Sequence, residues 1–321
     1  MTGEDPPVHV VEALAPLPSP ARTREAERGT VVVGVVQTRW HADPQEHADV
    51  LDGLVGAAAE RGARVVFCPE LTLGRYPADA PPTGRPLDAA EPLVGGPTHA
   101  FAARAAARHQ VLVHASLYEA VDAGDGRGYN TAILVGPDGQ IQAATRKVHI
   151  PTTAGYAEDA WFAPAPADDP YPVVDLDLPG APRVGLPTCW DQWFGEVSRA
   201  YALGGADLVA YPTAIGSEPD HPGFDTEPLW RTTICGQAIG NGLFVVVANR
   251  WGDEGRITFY GSSFVADPYG RVLARAPRDA DAVLVATLDL DARRDWLELF
   301  PLLRTRRPDT YGALVRPVAS E

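Results

Sequence analysis

The chain has 321 residues, of which 45% are hydrophobic and 21% are charged, and its formal net charge at pH 7 is -15. These proportions are typical of a soluble globular protein, and no apolar run in the sequence reaches the length of a membrane span. The acidic excess argues against nucleic-acid binding, because few cations are available to neutralise phosphates. Its main explanation is solubility, and it mildly favours cationic substrates.

The first 28 residues are rich in proline, alanine, glutamate and arginine and lack the apolar stretch of a signal peptide. We therefore expect residues 1–28 to form a flexible leader and residues 29–321 to form one domain. Beyond the leader, apolar patterns typical of buried strands alternate with patterns typical of helices. This alternation predicts a mixed α/β domain in which helices cover the sheets.

The predicted strands are 30–36, 64–67, 111–116, 131–135, 141–145, 183–188, 207–210, 243–248, 257–266 and 282–288. The predicted helices are 47–61, 97–109, 194–203 and a segment that ends at Asn241. A GPDG turn at 136–139 is expected to join two of the strands into a hairpin.

The cysteines and histidines exclude several kinds of site. Cys68, Cys189 and Cys235 form no CxxC pair, which favours a reducing compartment, and we expect the cytoplasm. The eight histidines show no metal-ligand spacing, so no metal site is predicted. No GxGxxG motif follows the first strand, which argues against dinucleotide binding.

Three residues that could carry chemistry each follow a predicted strand, where α/β proteins collect ligand and catalytic groups. They are Glu70, Lys147 and Cys189, and Lys147 is the only lysine in the chain. A thiolate can act as a nucleophile, with a neighbouring cation lowering its pKa, while a carboxylate moves protons and an ammonium holds an oxyanion. A single buried cysteine or loop glutamate often has no function, so only the combination predicts a hydrolase.

Three segments that contain these residues resemble the signature segments of the nitrilase (carbon–nitrogen hydrolase) superfamily. They are FCPE at 67–70, RKVHIP at 146–151 and CWDQWFGE at 189–196, and the similarity extends over about residues 30–315. The resemblance implies an α–β–β–α sandwich in a single domain. It also implies that no cofactor is used and that helices pair to form a homodimer or a higher homo-oligomer.

The resemblance also implies a role for each matched residue. Glu70 matches the general base of the family, Lys147 its oxyanion stabiliser and Cys189 its nucleophile. Glu158, in GYAE at 155–158, matches a second glutamate that orients the lysine and the substrate. We expect the backbone N–H of Trp190 to be a second donor to the oxyanion.

Within the superfamily, four segments are similar to the N-carbamoylputrescine amidase branch. They are CWDQWF at 189–194, YPTAIGSEP at 211–219, ANR at 248–250 and ITFYG at 257–261. Members that hydrolyse N-carbamoyl amino acids place arginines just after the cysteine, where this chain has Gln192 and Trp193. Asp191 and Glu218 offer negative charge that suits an ammonium group. The predicted substrate contacts are Trp190, Asp191, Gln192, Trp193 and Glu218.

The predicted activity is cysteine-dependent hydrolysis of an N-carbamoyl amine, which gives an amine, CO2 and ammonia. One alternative is an amidase of the same superfamily that acts on an aliphatic or ω-amide and releases no CO2. Another is a non-catalytic scaffold, against which the intact set of Glu70, Lys147 and Cys189 argues. The substrate stays open because four positions depart from the pattern of the relatives. These positions are Pro187, Gly195, Leu229 and Gln237.

Overall fold

The computed structural model describes residues 7–153 and 155–318. The strands are β1 (His9–Ala13), β2 (Thr30–Gln37), β3 (Val65–Phe67), β4 (Leu112–Glu119), β5 (Tyr129–Val135), β6 (Ile141–Arg146), β7 (Val173–Asp175), β8 (Arg183–Gly185), β9 (Leu208–Thr213), β10 (Phe244–Asn249), β11 (Trp251–Asp253), β12 (Thr258–Tyr260), β13 (Phe264–Ala266), β14 (Val272–Arg275) and β15 (Ala282–Asp289). The α-helices are α1 (Pro44–Glu60), α2 (Pro97–His109), α3 (Glu158–Trp161), α4 (Gly195–Leu203), α5 (Glu227–Asn241) and α6 (Asp291–Leu299). The 3-10 helices are Pro77–Asp79, Pro86–Ala89, Asp191–Trp193 and Pro308–Val315.

The ends of the two longest helices in the first half follow from local chemistry. The Asp43 side chain accepts hydrogen bonds from the backbone N–H groups of Gln45 and Glu46 at the start of α1. This cap satisfies donors that have no partner within the helix. Helix α2 begins with Pro97 and ends at His109, and the next residue, Gln110, has a φ of 55° that turns the chain out of the helix.

The strands form two large sheets that lie face to face. The seven-stranded sheet has the order β1-β15-β2-β3-β4-β5-β6, and the six-stranded sheet has the order β14-β13-β10-β9-β8-β7. Strands β2, β3 and β4 run parallel, as do β8, β9 and β10. Strands β11 and β12 form a separate two-stranded ribbon.

Three apolar clusters show how the layers pack. The first lies between the sheets and includes Phe67 of one sheet and Val246 of the other. The second joins the outer face of the seven-stranded sheet to α1 and α2, and the third joins the six-stranded sheet to α4 and α5. The chain is therefore a single α–β–β–α sandwich, as predicted. No helix in the two described ranges has the length and apolar content that crossing a membrane requires.

The structure differs from the flexible leader expected over residues 1–28. Residues 9–13 form β1 and pair in parallel with β15, while Val11 and Ala13 pack against the core between the sheets. Arg28 makes a bidentate contact with Asp207, with N–O distances of 2.6 and 2.8 Å. The composition of residues 9–28 resembles that of a loop. A short strand of alternating apolar residues and long-range ion pairs nevertheless hold this segment against the sandwich. Residues 1–6 of the expected leader lie outside the described residues.

Two predicted strands are shorter than expected. The strand expected at 183–188 ends at Gly185, before Pro187, which cannot donate a backbone hydrogen bond. The strand expected at 257–266 is divided into β12 and β13. Gly261 and Ser262 lie between them with φ values of 55° and 60°, and this left-handed backbone interrupts the extended conformation.

Candidate active site

The three candidate catalytic residues lie close together, because the strands that precede them end at one edge of the paired sheets. Glu70 follows β3, Lys147 follows β6 directly and Cys189 follows β8. Lys147 Nζ lies 3.0 Å from Glu70 Oε1 and 2.6 Å from Glu158 Oε2. The charges of Glu70 and Lys147 both act on the thiol of Cys189. The structure therefore brings together the four residues that the sequence singled out.

Glu70 is fully buried and held through one of its two carboxylate oxygens. Oε1 accepts hydrogen bonds from Asn130 Nδ2 at 2.7 Å and from Lys147 Nζ at 3.0 Å. Oε2 has no hydrogen-bond partner among the described residues. One oxygen thus fixes the carboxylate, and the other can accept a proton.

Lys147 is held as an ammonium between two carboxylates, and its side chain is 0% exposed. Burial alone would lower its pKa, but Glu158 and Glu70 outweigh that effect and hold the pKa above its usual range. A buried ammonium that stays charged at neutral pH is a fixed donor for negative charge that develops beside it.

The Cys189 thiol is buried, and burial raises its pKa above the usual range. The negative charge of Glu70 acts in the same direction, whereas Lys147 lowers the pKa without overcoming burial. The neighbouring cation therefore lowers the thiol pKa, as expected, but burial has the larger effect. A nucleophilic Cys189 requires a base that removes its proton during the reaction.

Glu158 begins α3, and both of its oxygens are engaged. Oε2 contacts Lys147 Nζ, and Oε1 accepts a hydrogen bond of 2.7 Å from the Tyr76 hydroxyl. Burial raises the pKa of Glu158, and the charge of Glu70 adds to this, while Lys147 and Tyr76 act in the opposite direction. Glu158 therefore holds the Lys147 ammonium through Oε2 and is itself held by Tyr76 through Oε1.

The backbone turns sharply just after the thiol. Trp190 has a φ of 78°, which is uncommon for a residue with a bulky side chain. The 3-10 helix Asp191–Trp193 follows, and then α4. Non-glycine residues in this region are held there by the surrounding structure, and such residues cluster at functional sites.

A cavity of about 230 Å³ opens beside the thiol. Its lining residues are Pro151, Thr153, Tyr156, Glu158, Cys189, Trp190, Trp193, Ala214, Ile215 and Glu218. Aromatic and aliphatic side chains predominate, and the charged members of this lining are the two glutamates. Glu218 is half-buried, and burial raises its pKa, although His221 and Thr226 lower it.

Three of the five predicted substrate contacts line this cavity, namely Trp190, Trp193 and Glu218. Whether they bind the substrate stays a prediction. Asp191 and Gln192 do not line it, which differs from the expectation.

Asp191 is directed into the protein instead of the cavity. Its carboxylate accepts hydrogen bonds from the backbone N–H groups of Thr188 at 3.2 Å and His149 at 3.0 Å. The His149 ring also lies within 2.8 Å of Asp191 Oδ1. Asp191 therefore joins the loop that follows Lys147 to the loop that holds Cys189, and its charge is not offered to a ligand.

Gln192 is fully buried and contacts the nucleophile candidate itself. Its Nε2 lies 3.7 Å from Cys189 Sγ. Gln237, one of the positions that depart from the relatives, donates a hydrogen bond of 2.7 Å to the Gln192 backbone oxygen. Leu229, another departure, is half exposed on α5 and does not line the cavity.

The sequence did not indicate Asn130 or Tyr76, although both contact candidate catalytic carboxylates. Asn130 is a buried polar residue within a strand, and such a residue needs a partner. That signal could have marked Asn130, but nothing local identifies Glu70 as its partner.

The carbon–nitrogen hydrolase family model matches residues 32–298. The chain belongs to the carbon–nitrogen hydrolase family. This hydrolase is 34% identical over 291 residues to a citrullinase of Francisella tularensis subsp. tularensis (strain SCHU S4 / Schu 4), covering 89% of this chain and 98% of the relative. It is 34% identical over 299 residues to an N-carbamoylputrescine amidase of Arabidopsis thaliana, covering 91% and 97% of the two chains.

The fold of the hydrolase also resembles a solved structure of the family. The crystal structure of a carbon–nitrogen hydrolase from Helicobacter pylori G27 matches with a TM-score of 0.78 and 29% identity, covering 89% of this chain and 99% of the other. The predicted family, its branch resemblance and its sandwich fold are therefore confirmed, and the protein is a carbon–nitrogen hydrolase that acts on amides.

Proposed function

We propose that the hydrolase cleaves an N-carbamoyl amine whose far end carries an ammonium group, with N-carbamoylputrescine as the representative substrate. The observation that carries the proposal is the cavity, which is lined by both Cys189 and Glu218 and has no lysine or arginine among its described lining residues. A carboxylate on the substrate would find no cation there, whereas an ammonium would find Glu218. The faces of Trp190, Trp193 and Tyr156 add a favourable environment for a cation.

In the acylation step, the Cys189 thiol proton passes to Glu70, whose Oε2 has no hydrogen-bond partner within the described ranges, and Sγ forms a bond to the ureido carbon. Lys147 and the backbone N–H of Trp190 hold the resulting oxyanion. The C–N bond then breaks as Glu70 returns the proton to the leaving nitrogen. The product of this step is a carbamoyl thioester on Cys189.

In the deacylation step, Glu70 takes a proton from water, and the hydroxide attacks the thioester carbon. The C–S bond breaks, and the proton returns to the Cys189 sulfur. When ammonia leaves in the first step, this second step releases a carbamic acid, which decomposes to the amine and CO2. Glu158 keeps the Lys147 ammonium in place through both steps, supported by their separation of 2.6 Å.

A screen of purified protein against N-carbamoylputrescine, citrulline and an ω-amide, with ammonia and CO2 measured separately, tests the substrate class. We expect the highest kcat/KM for N-carbamoylputrescine, with equal amounts of ammonia and CO2. Preference for citrulline would contradict the argument from the cavity charge, and ammonia without CO2 would favour the ω-amidase alternative.

The nucleophile is tested in the same screen with Cys189→Ala, which we expect to abolish turnover while the fold is retained. Cys235→Ala is the matched control, because Cys235 is a free thiol on α5 that does not line the cavity. Substantial turnover by Cys189→Ala would remove Cys189 from the mechanism.

Two further expectations remain proposals. The exposed side chains of Leu229 and Ile239 on α5 support pairing of two copies into a homodimer or a larger homo-oligomer. The free thiols of Cys68, Cys189 and Cys235 support a cytoplasmic location. Light scattering of the purified chain would measure the first.

A further inference from the structure

A buried ion pair lies beneath the loop that carries Glu70. Arg250 follows β10, and its Nη1 lies 2.7 Å from Glu254 Oε1. The two side chains are 4% and 3% exposed. Burying two charges is costly, so a buried pair of this kind is weak evidence for net stabilisation.

The arginine of this pair holds the backbone that follows the candidate base. Arg250 Nη2 donates hydrogen bonds to the backbone oxygens of Glu70 at 2.7 Å and Leu71 at 3.1 Å. Leu71 has a φ of 48°, a left-handed conformation that is unfavourable for leucine. The planar guanidinium thus fixes a strained turn whose geometry directs the Glu70 side chain.

The glutamate of the pair reaches the second carboxylate of the site. Glu254 Oε2 accepts a hydrogen bond of 2.8 Å from the backbone N–H of Tyr76. The hydroxyl of the same tyrosine donates to Glu158 Oε1 at 2.7 Å. Tyr76 is buried, and its backbone N–H and hydroxyl thus connect Glu254 to Glu158.

We propose that Arg250 and Glu254 form a positioning pair for both carboxylates that hold Lys147, Arg250 through the Glu70 backbone and Glu254 through Tyr76. This inference rests on the proposed function, because it assumes that Glu70 and Glu158 act on Cys189 and Lys147. Loosening the pair displaces the base from the thiol, and small displacements of that kind reduce turnover strongly.

The decisive variant is Arg250→Lys, which keeps the charge but loses the fork that reaches two backbone oxygens and Glu254 together. We expect kcat to fall about tenfold or more with KM within about threefold, because the pair acts on positioning and not on substrate binding. Alkylation of Cys189 by iodoacetamide should slow by a similar factor, since Glu70 must remove the thiol proton. This second readout needs no hydrolysable substrate.

The chain contains a matched control at the opposite ends of the strands. Arg28 Nη2 donates to the backbone oxygens of Gly180 and Ala181, and its guanidinium binds the buried Asp207. Ala181 also has a left-handed φ, of 43°. Arg28 precedes β2 and Asp207 precedes β9, whereas the candidate catalytic residues follow strands. Arg28→Lys should lower the melting temperature and leave kcat and the alkylation rate unchanged.

Tyr76→Phe provides an independent variant if Arg250→Lys does not fold, because it removes only the hydroxyl that contacts Glu158. It should also lower kcat, by about threefold or more. If folded Arg250→Lys shows the wild-type kcat and the wild-type rate of Cys189 alkylation, the inference is overturned. If only Tyr76→Phe folds, the same result in that variant overturns it. A wild-type Cys189 that reacts no faster than Cys68 and Cys235 would overturn the proposed chemistry itself, and this inference with it.

Discussion

Lys147 Nζ lies 2.6 Å from Glu158 Oε2, with side-chain exposures of 0% and 2%. An ion pair this deeply buried loses much if one partner is removed, because the other charge is left without compensation. The pair also fixes the direction of an ammonium whose other neighbour is Glu70. The site therefore depends on the shape of the cation as well as on its charge.

Lys147→Arg is consequently expected to be almost as damaging as Lys147→Ala. The guanidinium is larger, and its donors diverge, so it cannot lie 2.6 Å from Glu158 and 3.0 Å from Glu70 in the same space. The loss of one aligned oxyanion donor costs about 3–4 kcal/mol in the transition state, which should appear mainly in kcat. Steady-state kinetics of the folded variant provide the measurement, and activity within about threefold of wild type, under about 1 kcal/mol, would refute the oxyanion role.

Glu70→Gln should reduce kcat by about a hundredfold or more, the usual contribution of a positioned acid–base group. The amide keeps the volume of the side chain but cannot accept the thiol proton. We expect the melting temperature to change much less than kcat. Rapid-quench measurement of the thioester would show a slower first step, and a variant within about tenfold of wild type would exclude Glu70 as the base.

Glu218→Gln tests recognition of the ammonium end of the substrate. A hydrogen bond to a charged group contributes about 1.5–3 kcal/mol, so KM for N-carbamoylputrescine should rise about tenfold or more while kcat changes little. An N-carbamoyl alkylamine of equal length without the terminal amine is the control substrate, and its kinetics should not respond. Equal effects on both substrates would show that Glu218 supports the cavity wall and does not recognise charge.

His114 predicts an acid-dependent loss of stability. It lies in β4 beside Phe67, with a ring-centroid distance of 5.3 Å, and burial lowers its pKa from 6.5 to about 3. The unfolded chain therefore binds a proton below about pH 6.5 that the folded chain does not accept until about pH 3, so the free energy of unfolding decreases as pH falls through this window. At pH 5 the loss from this histidine is about 2 kcal/mol.

The variant His114→Leu should remove that part of the pH dependence. Chemical denaturation at pH 8 and pH 5 provides the measurement, because at pH 8 both states are neutral and only the packing difference remains. From pH 8 to pH 5, the free energy of unfolding of the variant relative to that of wild type should increase by about 2 kcal/mol. A constant difference would mean that His114 is solvated or protonated in the folded state.

The positions of Glu70, Lys147 and Cys189 could be predicted from the sequence, because each follows a strand and strand ends of one sheet meet at one edge. The orientation of Asp191 could not, since a charge in a sequence does not reveal whether backbone donors occupy it. The contacts of Arg250 with the Glu70 backbone and of Tyr76 with Glu158 were also missed, because each joins segments that are far apart in the chain. Such contacts depend on packing and leave no local pattern.

Local patterns in the sequence also predicted some strands of the fold and missed others. The continuous apolar run at 30–36 predicts β2 well, because a strand buried on both faces has no polar positions. The strand β1 was missed because its five residues alternate weakly and depend on β15 as a partner. The division of residues 257–266 depends on Ser262, a residue type that does not by itself predict a left-handed backbone.

Strand β1 also protects the protein from association with other chains. It covers β15 from the pair His9–Ala282 to the pair Ala13–Ala286. If β1 were absent, the apolar segment of β15 from Ala282 to Ala286 would present unpaired backbone groups along one edge, which is a template for adding strands from other molecules. A variant that lacks residues 1–28 would keep Glu70, Lys147, Glu158 and Cys189. It would be prone to aggregate through this edge of the sheet.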